Sequence, residues 1–335
     1  MDKKKLSIKD ISRLSGVSVA TVSRVIHKNG RFSAETEKRV MKVIDSEQYA
    51  PDIIAQTMRT KVMPIIGVLL TDILNERYAL FARAAQDVLN EAGYQMIIFN
   101  TKRNAEAAQN FIKMMRSQHA AGYLVFSECG AIPPEYLDNE NVVYVWNEPL
   151  VKPSHPYSIA RFDYYNGAMM AAEHLFAQGC RKVAILRGND EFTSQREMYR
   201  GYLDAHKKHN IRVHEDLAIN LNNRRTMESI KYMNNYLGDG IPPFDSVLCC
   251  SYHLAIVIMS VFESRRIRMP EDVRMVGFSD IRMSRYGLLK YTAIAEDEEQ
   301  LGREAVDMLL KQITQADKKA KELILPVKLL KGYTT

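Results

Sequence analysis

Several features that would place a protein in other classes are missing from these 335 residues. No apolar run approaches the roughly 20 residues that a membrane helix needs. The basic N-terminus is not followed by the apolar stretch of a signal peptide, because Lys9 and Asp10 interrupt it. The four cysteines form no Cys-x-x-Cys pair and have no histidine cluster beside them. We therefore expect a cytoplasmic protein with reduced, buried thiols, no bound metal and no contact with a membrane.

The common motifs of enzyme active sites are also missing. The sequence has no Gly-x-x-x-x-Gly-Lys-Ser/Thr phosphate loop, no Gly-x-Gly-x-x-Gly after a strand, no Gly-x-Ser-x-Gly turn and no His-Glu-x-x-His. The eight histidines are dispersed along the chain. We therefore expect a protein that is not an enzyme, without catalytic residues or a cofactor.

What the sequence does have is an uneven distribution of charge. Residues 1–61 contain 13 Lys and Arg against 7 Asp and Glu, whereas the remainder contains 33 of each. The whole net charge of +6 therefore lies in the first fifth of the chain. A short basic segment on a neutral body is typical of a head that binds a polyanion, although a solvated basic tail has the same composition.

Helical spacing within this basic segment favours the first interpretation. Ile8, Ile11 and Leu14 recur at the period of a helix, Ser7 can cap its start, and Gly16 can end it. Two further helices are predicted by capping serines and apolar stripes, the second of them with an acidic first turn and a basic later part. These signals are Ser18 with Ala20, Val22, Val25 and Ile26, and Ser33 with Val40, Val43 and Ile44.

Two short helices around a glycine-containing turn, with a third packed on them, form a helix-turn-helix unit. Its second helix enters the major groove, so Val19, Ala20 and Thr21 would face bases, with Arg24 one turn later. The hydroxyls of this helix can bind phosphates, as can the backbone N–H groups at its start. Three-helix bundles also occur in protein-binding modules, but the basic excess favours DNA.

These residues resemble the head of the lactose/galactose-repressor family. The similar stretches are Ile8-Lys9-Asp10-Ile11, Gly16 to Val25, Ser33-Ala34-Glu35-Thr36, Tyr49-Ala50-Pro51-Asp52 and Ala55-Gln56-Thr57-Met58. The resemblance implies a DNA-binding domain at 1–49, a hinge at 50–62 that folds on DNA, and a two-lobed effector-binding and dimerisation domain at 63–335. It also implies that Met58 replaces a leucine that wedges into the minor groove.

The residues that we assign to DNA binding come from this helix pattern and from the resemblance. His27 stands where the family usually has asparagine, and it can be either a phosphate contact or a surface residue. The full set is Ser7, Ser18, Val19, Ala20, Thr21, Ser23, Arg24, His27, Arg31, Ser33, Thr36, Tyr49, Ala55 and Met58.

From Pro64 onward, apolar strands alternate with helices, and the rhythm restarts after Asp163. This alternation predicts a doubly wound parallel α/β body in two lobes. A last strand is predicted over Leu323–Leu330. The family resemblance continues here, at Asn166-Gly167-Ala168, Arg200-Gly201-Tyr202 and Val276 to Asp280 among other stretches, and implies a body like a periplasmic binding protein. The expected fold class is therefore α/β, with an N-terminal three-helix helix-turn-helix domain.

A two-lobed α/β body binds small molecules between its lobes, at the carboxyl ends of the strands. Arg196 matches the family's pocket arginine, whose planar fork suits paired hydroxyls or a carboxylate. Ser251, Tyr252 and Ser279 replace side chains that accept sugar hydroxyls in many members. A sugar, a phosphorylated or acidic sugar, a non-sugar or no effector all remain open. The candidate effector-binding residues are Asp72, Tyr78, Ser127, Trp146, Asn147, Phe192, Arg196, Tyr252, Ser279 and Asp280.

The resemblance implies a transcription regulator, and we expect it to repress a carbohydrate-utilisation operon. We expect a homodimer on a pseudo-palindromic operator, because one head reads too short a site. No counterpart of the lactose repressor's heptad tail follows residue 330, so a tetramer is not expected. The alternatives are a regulator with a non-sugar effector, a sugar-processing enzyme fused to a DNA-binding head, and a sugar receptor without DNA function.

Overall fold

The computed structural model describes residues 6–26, 30–47, 49, 62–221, 226–280, 291–315 and 319–335. The chain divides into two compact units, Met1–Met63 and Pro64–Thr335. The predicted hinge at 50–62 lies, except for residue 62, outside the described residues.

The first unit is a bundle of three short helices: α1 (Ile8–Ser15), α2 (Val19–Ile26) and α3 (Ala34–Glu47). Its core consists of Ile11, Val22, Val25 and Val40, each at most 2% exposed. Ser7 caps α1 in a complete capping box with Asp10, and Gly16 ends the helix in the left-handed conformation, φ 64°. The three helices and the caps predicted from the sequence are therefore present.

One position of the predicted apolar stripe is wrong. Leu14 is 49% exposed, whereas Ser15 is buried in its place. Because the hydroxyl of Ser15 donates a 2.6 Å hydrogen bond to the carbonyl oxygen of Ile11, this polar side chain is satisfied within the helix and can face the core.

The second unit contains two six-stranded sheets, each flanked by helices. The first lobe has the strand order β11-β5-β4-β3-β1-β2. Its strands are β1 (Met63–Leu70), β2 (Gln95–Asn100), β3 (Ala120–Phe126), β4 (Val142–Val145), β5 (Ser158–Phe162) and β11 (Glu322–Leu325). Its helices are α4 (Glu76–Glu91), α5 (Ala105–Ser117) and α10 (Glu298–Gln315), of which α4 and α10 pack against each other.

The second lobe has the strand order β12-β10-β9-β8-β6-β7. Its strands are β6 (Val183–Arg187), β7 (Ala218–Asn220), β8 (Ser246–Cys249), β9 (Arg274–Asp280), β10 (Thr292–Glu296) and β12 (Lys328–Leu330). Its helices are α6 (Tyr164–Ala177), α7 (Thr193–Lys208), α8 (Thr226–Leu237) and α9 (Tyr252–Ser264). The pairs β6–β7, β6–β8, β8–β9 and β9–β10 are parallel, as predicted, whereas β12 pairs with β10 antiparallel.

The described chain passes between the lobes three times: from β5 to α6, from β10 to α10, and from β11 to β12. The third passage corrects the prediction of one strand over Leu323–Leu330. Pro326 has no N–H to donate to a sheet, and the chain leaves the first sheet at Leu325 and joins the second at Lys328. Neither lobe is therefore a continuous segment of sequence.

Two kinds of feature are absent from the described residues. No helix there is long and apolar enough to cross a bilayer. Within the same ranges, no group of three or more His, Cys, Asp or Glu side chains is arranged to hold a metal ion. The four cysteines are buried and unpaired.

Candidate functional site

The second helix of the first unit presents the side chains that we predicted to read DNA. Val22 and Val25 lie in the core, so the opposite side of α2, with Ala20 and Arg24 one turn apart, is exposed. The sequence pattern left Ala20 available to the core, and that possibility is wrong, because the two valines fill it. Val19 is 39% exposed at the first turn.

Serine and threonine side chains organise the helix starts of this unit. The Ser18 hydroxyl accepts a 3.2 Å hydrogen bond from the N–H of Thr21 and contacts the Thr21 hydroxyl at 2.9 Å. Ser33 and Thr36 repeat the arrangement at the start of α3, at 3.2 and 2.8 Å. These side chains therefore already cap helices, and their hydroxyls remain at the surface, where a phosphate can reach them.

The basic side chains of the unit differ in how they are used. Arg13 pairs with Asp10 at 3.2 Å, and Arg39 donates to the Gly16 carbonyl oxygen at 3.3 Å. Arg24 is exposed and makes neither an ion pair nor a hydrogen bond with the described residues. Of the remaining predicted DNA contacts, those described are exposed or half-buried: Ser7, Ser23, Arg31 and Tyr49. His27, Ala55 and Met58 lie outside the described residues.

In the second unit, segments that follow the carboxyl ends of strands in the two lobes meet, and we call the region where they meet the cleft. Asn147 follows β4 in the first lobe, and its Oδ1 accepts a 2.7 Å hydrogen bond from the backbone N–H of Ser194, in the first turn of α7 in the second lobe. The side-chain Nδ2 of Asn147 donates to Glu128 at 2.7 Å. The Ser127 hydroxyl donates to the backbone carbonyl oxygen of Asn147 at 2.6 Å. Asn147 is 1% exposed. The amide thus joins three chain segments and both lobes.

Glu128 follows β3 and accepts hydrogen bonds from two side chains of the first lobe. Besides Asn147, the hydroxyl of Tyr78 donates to it at 3.1 Å, and that hydroxyl also contacts Thr71 at 2.6 Å. Burial raises the pKa of Glu128, and the hydrogen bond from Tyr78 offsets part of this effect. Burial and then the charge of Glu128 raise the pKa of Tyr78 well above its ordinary value. The Glu128 carboxylate is therefore protonated more readily than an exposed glutamate.

Trp146 precedes Asn147 and is 5% exposed. Its ring lies 4.7 Å from that of Tyr78, and the Arg77 guanidinium carbon lies 4.4 Å from its centroid. Trp146 is one of the candidate effector-binding residues. In this arrangement protein groups cover the ring.

Arg196 lies on α7 with about half of its side chain exposed. Its guanidinium donates to the carbonyl oxygens of Asp190 and Glu191 at 3.0 and 2.7 Å, and it lies 4.0 Å from a Glu148 oxygen across the cleft. It also donates to the Thr193 hydroxyl at 3.2 Å. The predicted pocket arginine is therefore at the cleft, where it supports the loop before α7.

The other predicted effector residues are placed around the same strand ends. Asp72, after β1, is exposed, and its Oδ1 accepts from the N–H of Leu74 at 3.0 Å. Phe192 and Tyr252 are half-buried at the starts of α7 and α9, and Ser279 is buried within β9. Asp280 ends β9, and its side chain lies outside the description.

Sequence reasoning missed four charged residues of this region: Arg77, Glu128, Glu296 and Glu298. Glu296 and Glu298 are both fully buried where the chain crosses from β10 to α10. Burial opposes the charge of Arg77, but these two carboxylates hold its pKa well above the usual value. For these two carboxylates the signal in the sequence was an acidic run at the end of an apolar strand, Glu296 to Glu299.

Two family models match the chain. Residues 7–52 match bacterial regulatory proteins of the lacI family, and residues 172–335 match a periplasmic binding protein-like domain. The HTH-type transcriptional repressor PurR of Glaesserella parasuis is 28% identical over 334 residues, covering 98% of this chain and 95% of that protein. The ribose operon repressor of Halalkalibacterium halodurans is 27% identical over 332 residues, covering 98% and 97%.

Among solved structures, the Lac repressor dimer bound to operator and the anti-inducer ONPF resembles this chain with a TM-score of 0.75. The two are 21% identical, and the similarity covers 99% of each chain. At this identity the likeness shows a shared fold.

Proposed function

Because this chain belongs to the lacI family of bacterial regulatory proteins, we propose that it represses a carbohydrate-utilisation operon. It is a DNA-binding transcriptional repressor, and its effector domain is of the sugar-binding type. A sugar or sugar derivative, including a sugar phosphate, binds in the cleft between the lobes. Two chains form a homodimer on a pseudo-palindromic operator. The protein acts in the cytoplasm, associated with the nucleoid.

The observation that carries the DNA half of the proposal is Arg24. It is exposed on α2 and has no partner among the described residues, whereas Arg13 and Arg39 of the same unit each have one. Beside it, the small side chains of Val19 and Ala20 can contact a thymine methyl group but cannot donate hydrogen bonds to a base. Arg24 therefore supplies the polar base contact in each half-site.

The cleft supports a small, hydroxyl-bearing effector. Polar side chains from both lobes meet there, and Glu128, Glu148, Arg196 and Tyr252 remain partly exposed. Because relatives of nearly equal identity include both a ribose and a purine repressor, a purine-like effector is the second candidate. The effector changes the angle between the lobes and thereby the operator affinity, typically by about 5- to 150-fold.

The test of DNA binding is selection of sites from a random duplex library, followed by a salt titration. We expect a pseudo-palindromic site and a slope of log K against log salt near −9, for about ten phosphate contacts at roughly −0.9 each. A flat salt response would contradict the proposal, as would selection of no common site.

The effector is sought by a thermal-shift screen of pentoses, hexoses, their phosphates and purine bases. A binder raises the melting temperature by mass action. The sugar assignment requires that a sugar or sugar phosphate gives the shift and that Arg196→Ala reduces it, with Arg200→Ala as the control on the same helix. A purine that alone gives the shift would replace the sugar with the second candidate. Turnover of any of these compounds would restore the enzyme alternative.

A further inference from the structure

A buried cluster of four side chains lies where β10 crosses into α10. We call Arg77, Trp146, Glu296 and Glu298 the crossover clasp. Arg77 pairs with Glu296 at 3.1 Å and with Glu298, to which its Nε also donates at 2.6 Å. Both carboxylates are fully buried, and 16% of the Arg77 side chain is exposed. One guanidinium therefore contacts both ends of the crossover at Asp297.

Trp146 completes the clasp from an unusual backbone conformation. Its φ is 67°, which a bulky L residue rarely adopts, and the N–H of Asn147 bonds to the carbonyl oxygen of Val145 at 2.9 Å, closing a three-residue γ-turn. Its Nε1 donates to Glu298 at 3.0 Å while Arg77 covers the ring. Such a conformation persists only where the surroundings fix it, and here the side-chain contacts of the ring do so.

The clasp is continuous with the cleft. Trp146 is followed by Asn147, which bonds to Ser194 of the second lobe, and Arg77 is followed by Tyr78, which donates to Glu128. Glu296 ends a strand of the second lobe, whereas Glu298 begins a helix of the first. Side chains adjacent in sequence thus connect the cleft wall to a passage between the lobes.

We propose that Arg77 is a positioning residue that sets the angle between the two lobes through this clasp. Stability alone is a weak reason for a buried ion pair, because desolvation cancels much of the attraction, whereas a fixed geometry is a use that such pairs can serve. Arg77 and Trp146 act through Glu296 and Glu298, and not as contacts of the effector. The proposal rests on the proposed function only where operator binding is the readout.

The test measures inter-lobe distance without any ligand. Spin labels are placed at Asn110→Cys on α5 and Asn235→Cys on α8, both exposed positions. The four native cysteines are buried, so labelling is selective. Labelled chains are diluted with unlabelled ones to keep one labelled pair per dimer. The matched control is Arg83→Met. It removes an exposed ion pair, Arg83 to Glu299, between α4 and α10, the two helices that Arg77 and Glu298 also join.

We expect the control to keep the wild-type distance distribution and Arg77→Met to broaden its width at least twofold. Arg77→Lys keeps the charge but loses the planar fork, so it should broaden the distribution as well. The triple variant Arg77→Met, Glu296→Gln, Glu298→Gln removes all three charges. It should regain a melting temperature near that of the wild type and still give the broad distribution.

Two results would overturn the proposal. One is a wild-type distribution of inter-lobe distances in both Arg77→Lys and the triple variant. These two variants decide the question even where Arg77→Met fails to fold. The other is an operator affinity of Arg77→Lys within twofold of the Arg83→Met control, since coupling through the lobes should change it by about fivefold or more. If wild-type protein binds no operator, the proposed function fails while the distance measurement still decides the role of Arg77.

Discussion

The side-chain oxygen of Asn147 accepts a 2.7 Å hydrogen bond from the backbone N–H of Ser194, and this bond joins the two lobes of the body. The same side chain donates to Glu128 in its own lobe. A single amide therefore supplies a donor to a carboxylate on one side and an acceptor to a helix start on the other. A carboxylate at this position could serve only the second partner.

Asn147→Ala should lower the free energy of unfolding of the body by about 1–3 kcal/mol, because it leaves a buried donor and a buried acceptor without partners. Chemical denaturation followed by circular dichroism measures the change. Asn141→Ala is the control, since that amide donates one hydrogen bond, to Ala121, within one lobe. Equal losses of unfolding free energy in the two variants would mean that the contact between the lobes adds nothing to stability.

Asn147→Asp should make stability depend on pH. The new carboxyl would face Glu128, whose pKa burial already raises, so the pair would hold a proton in the folded state more tightly than in the unfolded state. Stability is then present at low pH and is lost as pH rises through the pair's folded pKa. Between pH 5 and 8, the melting temperature of Asn147→Asp should fall relative to that of the wild type as the pH rises. Parallel plots of melting temperature against pH for the two proteins would contradict the prediction.

Arg24→Ala should weaken operator binding by about 5- to 150-fold for each half-site, the effect of losing a polar base contact worth about 1–3 kcal/mol. Fluorescence anisotropy on the selected site measures it. Arg13→Ala also removes one exposed positive charge from the same unit, but from a side chain paired with Asp10. Equal losses in the two variants would show that Arg24 contributes charge alone and reads no base.

Gly201→Ala should destabilise the body by about 2–3 kcal/mol. A β-carbon at Gly201 would collide with the carbonyl oxygen of Tyr165 where α7 packs on α6, and overpacking of this kind typically costs about 1–3 kcal/mol. The control is Gly240→Ala, at an exposed position with one neighbour, 3.9 Å away. Urea midpoints give the comparison. A Gly201 variant as stable as the control would mean that the two helices can separate without cost.

His206 should contribute to acid sensitivity. It is 1% exposed between Phe176 and Tyr202, and burial lowers its pKa. The unfolded chain then binds more protons, so stability falls as pH drops below the unfolded value of about 6.5. His206→Gln should flatten the dependence of the urea midpoint on pH between 7 and 5, whereas His119→Asn, at an exposed position, should not. An unchanged slope in His206→Gln would assign the sensitivity to other groups.

The basic head and its three helices followed from the sequence because their signals are local. Capping serines, a left-handed glycine and apolar residues three or four positions apart act within a few residues of each other. Ser7, Gly16, Ser18 and Ser33 all occupy the places that these rules give them. The alternation of strands and helices in the body is equally local, and it too was predicted.

Membership of the lobes depended on tertiary structure. The sequence pattern restarts after Asp163, which suggests two successive lobes, yet α10 and β11 return to the first lobe and β12 to the second. The sheet that β11 joins is decided by pairing with residues more than 150 positions away, as Leu323 pairs with Ala160. Pro326 is a local signal that a strand over Leu323–Leu330 is interrupted, but no local signal tells which sheet each half joins.

The exposed arginine of α2 could therefore be identified from sequence alone, since its environment is one helix and one turn. The crossover clasp could not, because Arg77, Trp146 and Glu298 come from three parts of the chain. Their roles arise only when folding removes water from all of them at once. In that environment a charge needs a partner, and the partner is the residue that the fold brings within reach, not one near in sequence.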